Sequence, residues 1–240
     1  MPFLTALVAA AGRGTRMGAA GNKVFLNLCG KPVIAYSLEV LERSPLVQAV
    51  VVVTRPEDVE KCRSIIADNR YTKIVALTAG GEERQESVYK GLQHLPPSTE
   101  LVAVHDAARP LISAELLARV VAGAEEIGAA VAAVPVQDTI KRGNELGLVQ
   151  NTLAREGLWA IQTPQVFRRD WLEEAYHKGR QQGWKVTDDA SLVERCGYPV
   201  KLILGDYHNL KVTTPVDLIL ATALLNWRES SPDGEPSGTG

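Results

Sequence analysis

A chain of 240 residues with 45% hydrophobic content can bury a full core, and its length suits one large α/β domain. A formal net charge of −2 excludes a broad nucleic-acid surface, so any basic site must be local. The three cysteines, Cys29, Cys62 and Cys196, are widely spaced and match neither a disulfide framework nor a zinc site, which points to a reducing, cytoplasmic setting. No apolar run reaches the ~18 residues of a membrane span, and the opening MPFLTALVAAAGRG lacks the basic region of a secretory signal.

The apolar run 3–11 reads as a buried strand that empties into Gly12-Arg13-Gly14-Thr15-Arg16. Glycines there let main-chain N–H groups approach an anion with no Cβ in the way. Three cations, Arg13, Arg16 and Lys23, share this one connection, a charge pattern suited to a nucleoside triphosphate. A dinucleotide fingerprint would want glycine where Met17 stands and an acidic residue where the next strand ends in Thr54-Arg55. A Walker loop would want Gly-Lys-Ser/Thr, which does not occur. A tight turn with solvated basic residues is the plainer alternative.

Pro32 is pre-set for the first turn of a helix over 31–44, in which Ile34, Leu38 and Leu41 recur at helical spacing. A β-branched strand over 49–54, a helix over 57–68 and a strand over 73–78 follow. Strands that alternate with helices and are apolar on both faces imply right-handed parallel βαβ units. Gly80-Gly81 ends the third strand, and Arg84, Ser87, Tyr89 and Lys90 fall in a helix with Val88 and Leu92 facing inward. This helix start is a second place where a polar ligand meets main-chain amides, or an ordinary one whose Glu82 and Glu83 favour the dipole.

The fourth strand, 100–105, ends in VHDAARP. An aspartate at the carboxyl end of a central parallel strand lies where open α/β sheets bind ligands. Magnesium takes one or two carboxylates plus substrate phosphates, which makes Asp106 its natural anchor. Arg109 either reaches an anion or pairs with Asp106, and His105 reads as a packed or capping residue. After a strand over 130–136, the stretch 137–156 alternates around Gly143, Asn144 and Gly147 and reads as a projecting β-hairpin arm. Its Ile140, Leu148, Val149 and Leu153 need a partner. Helices over 169–182 and 188–196, a strand over 200–204 and a helix from Thr214-Pro215 to about Trp227 complete a single domain over 1–228. Asp206 reads as a turn residue, and Trp159, Trp171 and Trp184 as packing residues. The tail 229–240 is polar, rich in Gly, Pro and Ser, and expected to be disordered.

AAGRGTRM, Lys23, GGEERQESV, VHDAARP, VQDTIK, REGLWAIQTPQVF, TDDAS and NLKVTTPVDL occur in that order over about 4–225. Together they resemble the 2-C-methyl-D-erythritol 4-phosphate cytidylyltransferases of the non-mevalonate isoprenoid pathway. The resemblance implies a doubly wound, mostly parallel, Rossmann-like nucleotidyltransferase sheet and transfer of CMP from CTP to the polyol phosphate with magnesium. It also implies a homodimer in which each arm reaches the other subunit's site. Ala10, Ala11, Gly12 and Gly14 would present backbone to CTP, and Arg16, Lys23 and Lys211 would be catalytic. Gly81, Glu82 and Ser87 would take the cytosine and ribose side, with Ala107 beside the ribose and Asp106 on the metal. Thr139, Arg155, Thr163 and Thr187 would lie near methylerythritol phosphate. Asn22 and Val24 stand where the family usually has Pro and Gln, which frees the backbone beside Lys23 and removes a polar contact. Another polyol phosphate, such as D-ribitol 5-phosphate, is the alternative substrate. A non-catalytic nucleotide-binding protein is the alternative of another class. An NADP-dependent oxidoreductase, suggested by Arg55, is disfavoured by Met17. No nucleic-acid or membrane partner is expected.

Overall fold

Alternating residues of the central strands enter two different hydrophobic layers. In β1 (Leu4–Ala10), Leu4, Ala6 and Val8 join one layer and Leu7 joins the other. Burial on both faces is what the continuous apolar runs demand. The computed structural model describes residues 2–12 and 22–230. Arg13, Gly14 and Arg16, the remainder of the expected phosphate loop, lie outside the described residues.

After β1 come a 3-10 turn (Lys23–Phe25), the short strands β2 (Asn27–Leu28) and β3 (Lys31–Pro32), and α1 (Val33–Arg43). Pro32 precedes α1 in extended conformation, one residue before the position expected for it. Next are β4 (Val47–Thr54), α2 (Val59–Asp68), β5 (Ile74–Ala79), α3 (Arg84–Leu92) and β6 (Leu101–Asp106). Then follow α4 (Ala114–Ile127), β7 (Ala129–Pro135), β8 (Lys141–Gly143), β9 (Val149–Thr152) and β10 (Trp159–Arg168). The chain continues through α5 (Arg169–Gln181), α6 (Ala190–Arg195), β11 (Lys201–Leu204) and α7 (Pro215–Ser230). Glu229 and Ser230, assigned from the sequence to the tail, therefore belong to α7, and residues 231–240 lie outside the described residues.

Seven strands form one sheet in the order β11-β7-β10-β6-β1-β4-β5. The run β6-β1-β4-β5 is parallel, β10 is antiparallel to both β6 and β7, and β11 is parallel to β7. The sheet is thus doubly wound and mostly parallel. Helices α1, α2 and α4 cover one face, while α3, α5 and α6 cover the other. From β1 the chain winds outward through β4 to β5, then returns past β1 to β6, so the strand order reverses between β1 and β6. A crevice at the carboxyl ends of two such strands is where open α/β sheets place ligands. Their register puts Ala9 opposite Asp106, and the Ala107 N–H donates to the Ala9 carbonyl at 3.1 Å.

Four elements go beyond those expected from the sequence: the two-residue strands β2 and β3, the second of which takes Lys31 and Pro32 out of the expected helix, and the larger α4 and β10. Ser113 caps α4 by accepting from the Leu116 N–H at 3.1 Å, and Gly128 closes it in the left-handed region at φ +104. A Cβ at Gly128 would sit 2.3 Å from the Trp171 ring, which is itself stacked on Tyr198 at 4.3 Å between centroids. Gly128→Ala therefore combines backbone strain with overpacking, and we expect it to lower stability by about 2 kcal/mol or more. An unchanged urea midpoint would contradict this packing.

Candidate active site

The carboxylate of Asp106, at the last position of β6, lies between two cations. Arg84 Nε donates to Oδ1 at 3.0 Å, and Lys211 Nζ donates to Oδ2 at 2.5 Å. Burial opposes ionisation of Asp106, but these neighbours outweigh it and hold the carboxyl well below the usual range. Arg84 also donates through Nη2 to Asp189 Oδ2 at 2.7 Å, and Tyr176 donates its hydroxyl to the other oxygen of that fully buried carboxylate. Arg84 thereby joins α3, the end of β6 and the start of α6. Neither Arg84 nor Asp189 was singled out from the sequence as a site residue. Their partners are 22 and 105 positions apart in the chain.

Thr163 approaches Asp106 from β10. Its Oγ1 accepts from the Asp106 N–H at 3.0 Å and meets His105 Nδ1 at 3.1 Å, while His105 Nε2 lies 3.2 Å from the Arg109 carbonyl. A carbonyl only accepts, so Nε2 carries the ring proton and Nδ1 accepts from the Thr163 hydroxyl. The Thr163 proton is therefore turned inward, and His105 is a packed, neutral residue. Arg109 does not pair with Asp106. Its guanidinium donates to the carbonyls of Asn209 at 2.6 Å and Ile161 at 3.4 Å, and Arg84 and Lys211 take the carboxylate instead. Asp206 accepts from the His208 N–H at 2.7 Å, as a turn aspartate does.

The end of β1 and the Gly80-Gly81 loop meet around Gly80. Gly81 donates its N–H to Ser87 Oγ at 3.0 Å, and Ser87 donates to the Glu83 carbonyl at 3.0 Å, so this hydroxyl is committed to shaping the loop. The Glu82 N–H is likewise taken by Glu86 at 3.0 Å. A Cβ at Gly80 would lie 2.6 Å from Ser87 Oγ and 2.7 Å from the Ala11 Cβ. Among the described residues, nothing lies within 4 Å of the place that a Cβ on Gly12 would take. Ala10 and Ala107 are buried at the ends of their strands, and Thr187 is exposed two residues before Asp189. Thr139 and Arg155 stand apart on exposed segments flanking β8 and β9, and Arg155 donates to the Gln137 carbonyl. Within one chain the structure thus brings together Asp106, Lys211 and Thr163, and leaves Thr139 and Arg155 outside the cluster.

The sequence matches IspD, 2-C-methyl-D-erythritol 4-phosphate cytidylyltransferase, over residues 4–227. The chain belongs to the IspD family. A relative of that name from Geobacillus kaustophilus is 50% identical over 220 residues, covering 92% of this chain and 96% of that one. The crystal structure of 4-diphosphocytidyl-2C-methyl-D-erythritol synthase from Anaerococcus prevotii superposes with a TM-score of 0.83 at 31% identity, covering 94% and 96% of the two chains. The Thermus thermophilus 2-C-methyl-D-erythritol 4-phosphate cytidylyltransferase gives 0.77 at 34% identity, covering 92% and 98%. Against the IspD pattern, Asn22 does not free the backbone before Lys23 as expected. It is buried, and its side chain is bonded on three sides.

Burial pushes the imidazole of His105 down to about 4, so it stays neutral in the fold, whereas the unfolded chain protonates near its usual value of ~6.5. Between those values the unfolded state binds more protons, so this contribution is present above the upper value and is lost as pH falls through the window. We expect the wild type to lose up to roughly 3 kcal/mol from this group between about pH 6.5 and 4. In His105→Gln, whose amide reproduces one donor and one acceptor, the urea-unfolding profile should be flatter. Parallel profiles would show that His105 is not held neutral.

Proposed function

We infer that the chain transfers CMP from CTP to 2-C-methyl-D-erythritol 4-phosphate, releasing pyrophosphate, in isoprenoid precursor biosynthesis. Its membership of the IspD family carries this conclusion. A phosphate oxygen of the polyol ester attacks the α-phosphorus of CTP. The bond from that phosphorus to the β-bridging oxygen breaks, and pyrophosphate leaves with the electron pair. A phosphate monoester is already an anionic nucleophile, so the reaction needs no general base. The protein's task is electrostatic: it holds two anions together and stabilises charge on the α-phosphoryl oxygens.

In this reading Arg16 and Lys23 meet the triphosphate, and Lys211 leaves Asp106 for the incoming phosphate. The geometry favours Lys211 as the mobile partner. Its ammonium holds one oxygen and its side chain is 38% exposed, whereas Arg84 is anchored at both ends between two carboxylates. Ala10, Ala11, Gly12 and Gly14 offer backbone to the phosphates. Gly81, Glu82 and Ser87 form the cytosine and ribose side, and Ala107 lies beside the ribose. Thr163 and Thr187 border the polyol.

No group of three or more His, Cys, Asp or Glu suited to a metal occurs among the described residues. A single buried, ionised carboxylate fits a hard cation that takes its remaining ligands from substrate phosphates. Asp106 would hold magnesium in that way, and the ion when bound would neutralise phosphate charge. The proposal extends to a cytoplasmic location, supported by three unpaired cysteines. Among the described residues no helix is long and apolar enough to cross a membrane.

The same reading makes the protein a homodimer through the arm formed by β8 and β9. Among the described residues these strands pair only with each other, and the exposure of Leu146 (81%), Leu148 (62%) and Val149 (61%) supports a covering partner. A second subunit would bring Thr139 and Arg155 to the neighbouring site. Sedimentation should show a dimer at micromolar concentration, and Leu148→Asp combined with Val149→Asp should shift it to monomer. A monomeric wild type would remove the arm from this role.

Incubation with CTP and magnesium should release pyrophosphate with methylerythritol phosphate and far less with D-ribitol 5-phosphate; the reverse order would reassign the polyol. Lys23→Ala should lower kcat about 10²-fold, by analogy with loss of one transition-state donor. Near-normal turnover at saturating CTP would remove Lys23 from the mechanism.

A further inference from the structure

We propose that Asn22 is a positioning residue that sets the direction of the Lys23 side chain, resting on the reading of Lys23 as a catalytic group. Asn22 Nδ2 donates to the Ala10 carbonyl at 2.6 Å and to Asp58 Oδ2 at 3.1 Å, while Oδ1 accepts from the Val24 N–H at 3.3 Å. One 5%-exposed amide thereby ties the carboxyl end of β1, the turn after β4 and the turn carrying Lys23. Asp58 is fixed in turn by Arg55, whose Nε donates to the same Oδ2 at 2.6 Å. Arg55, the residue that raised a cofactor reading in the sequence, is thus a structural brace.

On the other side of Lys23, Val24 is 3% exposed within the core layer that also holds α1, and Phe25 beside it lies under the Lys61 ammonium at 4.8 Å. Lys23 is thereby the partly exposed residue of a turn whose two flanking residues are fixed, one by hydrogen bonds and one by burial. A cation that must meet developing charge acts only within a few tenths of an ångström of its best place, and a displacement of about 1 Å costs ~10²-fold. Asn22 has φ −82, near the φ of about −65 that a proline ring imposes, with an extended ψ of 120 that proline also adopts. A ring at this position and the amide present here are two ways of fixing the same backbone.

The test is steady-state turnover of full-length variants at saturating CTP and polyol phosphate, with melting curves confirming that each is folded at the assay temperature. Asn22→Ala should lower kcat about tenfold or more, and Asn22→Pro should recover at least half of the wild-type value. In a Lys23→Ala background the Asn22→Ala loss should disappear, because the two act as a unit. Should Asn22→Ala prove unstable, Asp58→Ala, which removes one of the three bonds, should give a loss of about threefold that also vanishes with Lys23→Ala. Wild-type kcat in Asn22→Ala, failure of Asn22→Pro to recover it, or an undiminished loss without Lys23 would each overturn the proposal. Near-normal kcat in Lys23→Ala alone would instead overturn the catalytic reading of Lys23.

Discussion

The ionised carboxylate of Asp106 between Arg84 and Lys211 is the interaction around which the rest of the site is arranged. Burying a carboxylate at the end of a central strand is costly unless it is paired and its other polar neighbours are satisfied. The fold meets that condition from three directions. Arg84 arrives from α3, Thr163 from β10, and Lys211 from the segment before α7. That last segment is laced to the end of β6. The Val212 N–H donates to the Ala108 carbonyl at 2.8 Å, Asn209 Nδ2 donates to the Thr163 carbonyl at 2.9 Å, and Arg109 holds the Asn209 carbonyl. The charge of Arg109, left open by the sequence, serves this lacing.

The parallel half of the sheet was legible because its physics is local. Runs such as 49–53 are apolar at every position and β-branched from Val50 onward, which marks a strand covered on both faces. Asp106 was legible for the same reason, as a carboxylate following an apolar run. Strand β10 was not, since Pro164 lies inside it and a proline normally argues against a central strand. The pairing of β10 with β7 shifts register between Ile161 and Gln165, so the sheet accommodates the missing donor by an irregularity that no residue pattern announces.

The partners of Asp106 were legible only in part. Lys211 was reached only through the resemblance that NLKVT carries, whereas Arg84 resembled any basic residue on a helix and Asp189, to which Arg84 bridges, any acidic residue near a helix start. Their importance comes from a tertiary meeting that neither local propensity nor periodicity encodes. Asn22 is the converse case. Read as the loss of a rigid residue, it proves to supply rigidity through its side chain, because the carbonyl of Ala10 and the carboxylate of Asp58 lie within reach.

The absence of a side chain at Gly80 lets Ala11 and Ser87 both crowd the space that its Cβ would fill. The segment that leaves β1 and the segment that leads into α3 therefore close on each other across a single glycine. A bulkier residue at this point would force Ala11 and Ser87 away from each other, so the closeness of the β1 end to the start of α3 depends on one missing Cβ.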